Sequence, residues 1–145
     1  MQNNTDAAGG LGAALCVYLH GKMQSGIETV LRLIDFDEKL IGADLVITGE
    51  GCTDSQSVCG KVMQGVGMHA KKLGIPCIGL SGSLGDGAEM ILDYGISSLH
   101  SIVDRPMTLE DAMTNAEVLY YHAAVRMFRT IKAGTEIGIS YCRKS

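Results

Sequence analysis

Asp44–Lys61 reads DLVITGEGCTDSQSVCGK, and this stretch decides the fold. Its opening, Asp44–Thr48, is almost continuously apolar and is bounded by glycine at Gly49. A run that short without alternation is the pattern of a strand covered on both faces by helices. The chain then enters a loop carrying two carboxylates, a glutamine and several hydroxyls, closed by Gly60-Lys61.

Working outward, two further runs behave alike. Pro76–Leu80 (PCIGL) is again nearly all apolar, while Ser98–Val103 (SLHSIV) carries His100 and flanking serines and belongs nearer a sheet edge. Between the first two, Lys61–Leu73 reads as a helix, with Gly74 as its stop and Pro76 forbidding its continuation. Asp86–Asp93 reads as a second, shorter helix. Thr108 and Asp111 have capping-box spacing and open a long helix to about Lys132, with Gly134 read as its end. The apolar stripe of that helix is Leu109, Met113, Ala116, Leu119, Tyr120, Ala123, Met127 and Ile131, and Tyr120 and Tyr121 are read as core and rim. Before the first strand, Gly10–Leu19 and Ile27–Leu33 read as helices, joined to it by the link DFDEKLIG. Strands alternating with helices through short loops specify a parallel sheet with right-handed crossovers. The expected fold is a single α/β domain over residues 1–145, three-layered α/β/α, with a mainly parallel Rossmann- or flavodoxin-like sheet.

Composition narrows the partners. The 145 residues carry a net charge of −4 and 5% aromatics, with no basic stripe, which argues against nucleic acid. No apolar run approaches the about 20 residues of a membrane span. The five cysteines are odd in number and scattered, without a C-x-x-C pair, which points to reduced thiols and the cytoplasm. Cys52 and Cys59 flank one loop with no histidine near in sequence, so a zinc site is not supported.

In open parallel sheets ligands sit outside the carboxyl ends of the strands. Two loops leave strands at that edge. In the first, Gly49 and Gly51 flank Glu50, followed by Asp54, Gln56 and Ser57. A carboxylate there, Glu50 or Asp54, can hold Mg²⁺ through water or take a proton from a substrate hydroxyl. The structural alternative is that Asp54 caps the next helix and Glu50 is solvated. The second loop, Ser81–Gly87, offers small residues and backbone N–H groups ahead of a helix, an arrangement suited to phosphate, with Ser81, Ser83 and Asp86 as its polar side chains. A plain turn capped by Ser83 or Asp86 is the competing reading. Lys61 is placed to neutralise a phosphate, although a first-turn lysine opposes the helix dipole. His69, beside Lys71 and Lys72, is read as solvated. Neither loop is a Walker A motif or a G-x-G-x-x-G fingerprint.

Four segments in order, AAGGLGAAL (Ala7–Leu15), DLVITGEG…D.QS..GK (Asp44–Lys61), AKKLGIPCI (Ala70–Ile78) and SGSLGDGAE (Ser81–Glu89), resemble the bacterial glycerate kinase family. The likeness covers most of this chain and the C-terminal part of a two-domain family member. It implies ATP- and Mg²⁺-dependent phosphorylation of D-glycerate in a cleft between two α/β domains. By that analogy Glu50, Asp54 and Lys61 are catalytic, and Gly49, Gly51, Gln56, Ser57, Ser81, Ser83 and Asp86 contact substrate or phosphate. Three positions depart from the family pattern: Cys52 stands where arginine is usual, Met63 where proline is, and Asp6 where glycine is. The alternative is a truncated, inactive relative that binds a nucleotide, a small acid or a partner. Either way the resemblance implies a complementing N-terminal part, and a domain without it is expected to self-associate through the uncovered apolar surface.

Overall fold

The computed structural model describes Tyr18 and residues 25–142 of the chain, with side chains as far as residue 137. The expected helix over Gly10–Leu19 and the small-residue segment at Ala7–Ala14 lie outside the described residues, Tyr18 excepted. In chain order the elements are α1 (Gly26–Leu33), α2 (Phe36–Leu40), β1 (Val46–Thr48), β2 (Cys52–Thr53), α3 (Val62–Lys72), β3 (Cys77–Ser81), β4 (Ser83–Leu84), a 3₁₀ helix (Ala88–Tyr94), β5 (Ser98–Ser101), α4 (Leu109–Thr114) and α5 (Ala116–Cys142).

The three expected strands form one parallel sheet in the order β1-β3-β5. Val46 pairs with Cys77 and Ile78 with Ser98, so each crossover advances the sheet by one strand. β3 is central and buried along its whole length, as its uninterrupted apolar run requires. β5, with its serines and His100, takes an edge. Only Val46 of β1 is buried, and Ile47 stays exposed.

Two apolar clusters cover opposite faces of the sheet and account for the layers. One gathers Leu31, Leu40, Val46, Met63, Val66, Ala70, Cys77, Ile91 and Ile96 under α1, α2, α3 and the 3₁₀ helix. The other joins Leu80 and Ile102 to Leu119 and Ala123 of α5. Burial pushes the Cys77 thiol up to about 11, so it behaves as a small apolar side chain.

Helix ends follow local chemistry. Gly74, at φ 71°, closes α3 with a Schellman pair: its N–H donates to the Lys71 carbonyl and that of Ile75 to the Ala70 carbonyl. Thr108 caps α4 by accepting from the Asp111 N–H at 3.1 Å.

Several expectations need correction. The link before β1 contains α2, entered through Asp35 in the left-handed region. The element expected at Asp86–Asp93 is a 3₁₀ helix over Ala88–Tyr94, because Gly87 at φ 74° holds the chain out of helical geometry until then. The long helix is two: Asn115 interrupts it and donates its side-chain amide to the Asp111 carbonyl at 2.8 Å. Nor does Gly134 end α5, which continues to Cys142. A glycine stops a helix by taking a left-handed φ, and Gly134 is not among the positive-φ residues. The expected apolar stripe therefore splits. Leu119, Ala123 and Met127 are buried, whereas Leu109, Met113, Tyr120 and Tyr121 are exposed.

Candidate functional site at the carboxyl edge of the sheet

The loops after β1 and β3 are stitched to one another. Cys52 and Thr53 (β2) pair in parallel with Ser83 and Leu84 (β4). Gly82 N–H donates to the Glu50 carbonyl at 3.0 Å, Ser83 N–H to Gly51 at 3.1 Å and Gly85 N–H to Thr53 at 2.7 Å. Such close approach is why glycine stands at two points. A Cβ at Gly49 would lie 2.2 Å from the Leu80 carbonyl oxygen, and one at Gly82 would lie 2.3 Å from that of Gly51. This pairing corrects one expectation: the amides of Gly82, Ser83 and Gly85 are engaged by the first loop and do not form a phosphate cradle.

Glu50 is half-buried where the loops meet. Its Oε1 accepts from the Thr53 hydroxyl at 3.0 Å and from the Ser57 hydroxyl. Thr53 Oγ1 is also 2.6 Å from Ser81 Oγ. Thr53, Ser57 and Ser81 are each 0% exposed. Ser57 in turn accepts from the Asp54 N–H at 3.2 Å. The roles assigned to Ser57 and Ser81 are therefore corrected: they are buried inside the loop pair, Ser57 bonded to Glu50 and Ser81 to Thr53, instead of meeting a ligand.

An open cavity of about 970 Å³ lies against this edge. Gly49, Glu50, Gly51 and Ser83 form its polar side, and the residues across from them come from α4 and the start of α5, including Leu109, Met113 and Tyr120. Asp54, Gln56, Lys61 and Asp86 do not line it. Asp54 uses Oδ1 to accept from the Gln56 N–H at 2.8 Å, fixing a tight turn. Lys61 is exposed at the N-cap of α3 in extended geometry, and Gln56 and Asp86 are exposed.

Two features escaped the sequence reading. Thr53, the hinge of the hydroxyl cluster, looked like one more polar loop residue, since only the fold brings Ser81 to it. The apolar wall was assigned to the core because helical periodicity records a stripe and not what covers it. His69 is also corrected. It is only 20% exposed in its side chain and stands between Asp37 of α2 and Glu28 of α1, with Glu28 Oε2 at 3.1 Å from Nε2. A second cavity, about 510 Å³, opens beside this trio.

Strand order, crossovers and a polar loop pair at the strands' carboxyl ends define an open parallel α/β protein with a candidate site on that edge. Comparison with known proteins refines this. Residues 2–132 match the Glycerate kinase family, and the chain belongs to that family. It is 46% identical over 118 residues to a glycerate kinase of Halalkalibacterium halodurans, covering 81% of this chain and 31% of that protein. It is 41% identical over 133 residues to the glycerate 2-kinase of Escherichia coli, covering 92% of this chain and 34% of the other. A solved structure from Salmonella typhimurium, named as a candidate glycerate kinase 2, superposes with a TM-score of 0.66 at 39% identity over 91% of this chain and 33% of that one. The chain thus spans about a third of the length of the relatives it matches.

Proposed function

We propose that this chain supplies one wall of the active site of an ATP-dependent glycerate kinase. The observation that carries this reading is Glu50, a carboxylate held by two buried hydroxyls at the edge of a cavity large enough for a small acid. In phosphoryl transfer the protein mainly positions, neutralises charge and accepts a proton. Glu50 is suited to the last task. Its Oε1 is occupied by Thr53 and Ser57, which leaves Oε2 to receive the proton of a substrate hydroxyl.

The donor set also fits a magnesium nucleotide. Among the described residues there is no group of three or more His, Cys, Asp or Glu able to hold a metal. Magnesium bound with ATP needs only one or two carboxylates, the remaining positions going to phosphate and water. Asp54, whose second carboxylate oxygen is not used in its turn, is the residue assigned to it. When bound, the ion neutralises charge on the phosphates. Lys61 and Gln56, both exposed, are assigned to the same phosphates, Gly49, Gly51 and Ser83 to glycerate, and Asp86 to the same ligands from outside the cavity. No helix among the described residues is long and apolar enough to cross a membrane, and the proposed location is the cytoplasm.

A second reading is a relative without catalysis that binds a nucleotide, a small acid or a partner. Cys52 favours it, because a fixed cation is missing beside the site. ADP release from Mg-ATP and D-glycerate, by this chain alone and with the remainder of a family member supplied, separates the two. Turnover that falls at least about a hundredfold in Glu50→Gln supports the kinase. A folded protein with no turnover in either setting overturns it.

A further inference from the structure

We propose that Thr53 is a positioning residue for Glu50, acting through a one-way chain of hydroxyls that begins at Ser81. This rests on the reading of Glu50 as the proton acceptor. Thr53 has a single hydroxyl proton and three neighbours for it: Glu50 Oε1 at 3.0 Å, Met63 Sδ at 3.5 Å and Ser81 Oγ at 2.6 Å. An ionised carboxylate only accepts, and thioether sulfur accepts weakly. The Thr53 proton therefore goes to Glu50, and Ser81 must donate to Thr53. With Glu50 as the acceptor, as the proposed function has it, the direction Ser81 → Thr53 → Glu50 follows from proton counting.

Other contacts make this chain a fixture of the fold. Thr53 and Ser81 are both fully buried, so water does not compete for their hydroxyls. The backbone of Thr53 is pinned separately, its carbonyl accepting from Gly85 N–H at 2.7 Å and its strand pairing with Leu84. Ser81 is the last residue of the central strand, the most buried part of the sheet. The cluster thus transmits the rigidity of β3 to a carboxylate on a loop. It occupies Oε1 from the inside of a side chain that lines the cavity, which leaves Oε2 for a proton transfer that is sensitive to geometry.

The test uses the full 145-residue chain, supplied with the remainder of a family member for turnover. Thr53→Val keeps the shape but leaves the Ser81 hydroxyl buried without its partner, so a Thr53→Val/Ser81→Ala chain, which removes both, guards against simple unfolding. Thr53→Ser restores the hydroxyl. Side-chain NMR of Glu50 is expected to show one rotamer in the wild type and in Thr53→Ser, and averaging over several in the two valine chains. Turnover is expected to show kcat lowered by roughly tenfold to a hundredfold in the valine chains, KM changed by less than about threefold, and rescue by Thr53→Ser. Folded valine chains that keep a single Glu50 rotamer overturn the proposal. Full activity in Glu50→Gln would overturn the reading of Glu50 instead, and the rotamer measurement would still decide whether Thr53 fixes that side chain.

Discussion

Glu50 and Cys52 stand two residues apart on the same loop and meet opposite conditions. Glu50 is held by hydroxyls that water cannot reach, while Cys52 is exposed on β2, paired with Ser83. An arginine at position 52 would sit on the surface strand beside the rim without displacing a core side chain. On the proposed kinase reading, and with the remainder of a family member supplied, Cys52→Arg is therefore expected to raise kcat/KM for glycerate by roughly tenfold or more, since a charge-assisted contact to a carboxylate or phosphate is worth about 1.5–3 kcal/mol. Steady-state ADP release measures it, and an unchanged kcat/KM would dissociate this position from the anion. At this scale the sequence was informative about types and silent about directions. It marked Glu50, Ser57 and Ser81 as polar residues near one edge. Which of them faces outward depends on the pairing of β2 with β4, two residues each, too short to leave a periodic trace.

Among the elements, those with a local chemical cause were legible. Gly74 and Thr108 sit at helix ends because backbone groups there need partners, and the chain supplies them within a few residues. Asn115 was not legible, because the apolar spacing continues through it and the interruption appears only in three dimensions. Gly134 misled for the opposite reason: a residue typical of helix ends sits inside a helix. Since a Cβ there would meet nothing within 4 Å, Gly134→Ala is expected to stabilise the chain by about 0.5–1 kcal/mol in urea unfolding. Destabilisation would mean that the helix ends there after all.

The clasp joining α1, α2 and α3 gives a pH dependence. Burial lowers the pKa of His69, but hydrogen bonds to Asp37 and Glu28 outweigh it, and the net shift is upward from 6.5. The hydrogen bond from His69 and then that from Lys72 hold Asp37 below 3.8. A raised histidine contributes fully below its unfolded value and loses its contribution as pH rises through the folded one. A lowered carboxylate contributes above its unfolded value and loses that contribution as pH falls through the folded one. The clasp is therefore strongest between the ordinary values of 3.8 and 6.5. The difference in Tm between wild type and His69→Gln is expected to be largest in that window and to shrink above it. A difference that grew toward alkaline pH would contradict the assignment.

At the scale of the whole molecule, the parallel sheet, with β5 at an edge, and its two helical layers follow from apolar runs and crossovers, and were readable in advance. An uncovered apolar surface was expected as well, but not its place on α4 and the start of α5. Leu109 and Met113 are 75% and 70% exposed beside the cavity, with Tyr120 next to them. We expect the chain to self-associate through this wall, giving a light-scattering mass above that of one chain. Leu109→Asp with Met113→Asp should return it to a monomer. A wild-type chain that stays monomeric at high concentration would contradict this.

The short ladder between β2 and β4 has a mechanical consequence. Because Gly82, Ser83 and Gly85 each hold a carbonyl of the opposite loop, the two loops cannot be displaced independently. A push on the Ser83 side is delivered to the backbone of Glu50 and Thr53 without any flexible joint between them. The edge of this sheet behaves as one stiff plate, and a ligand that presses on either half of it feels both.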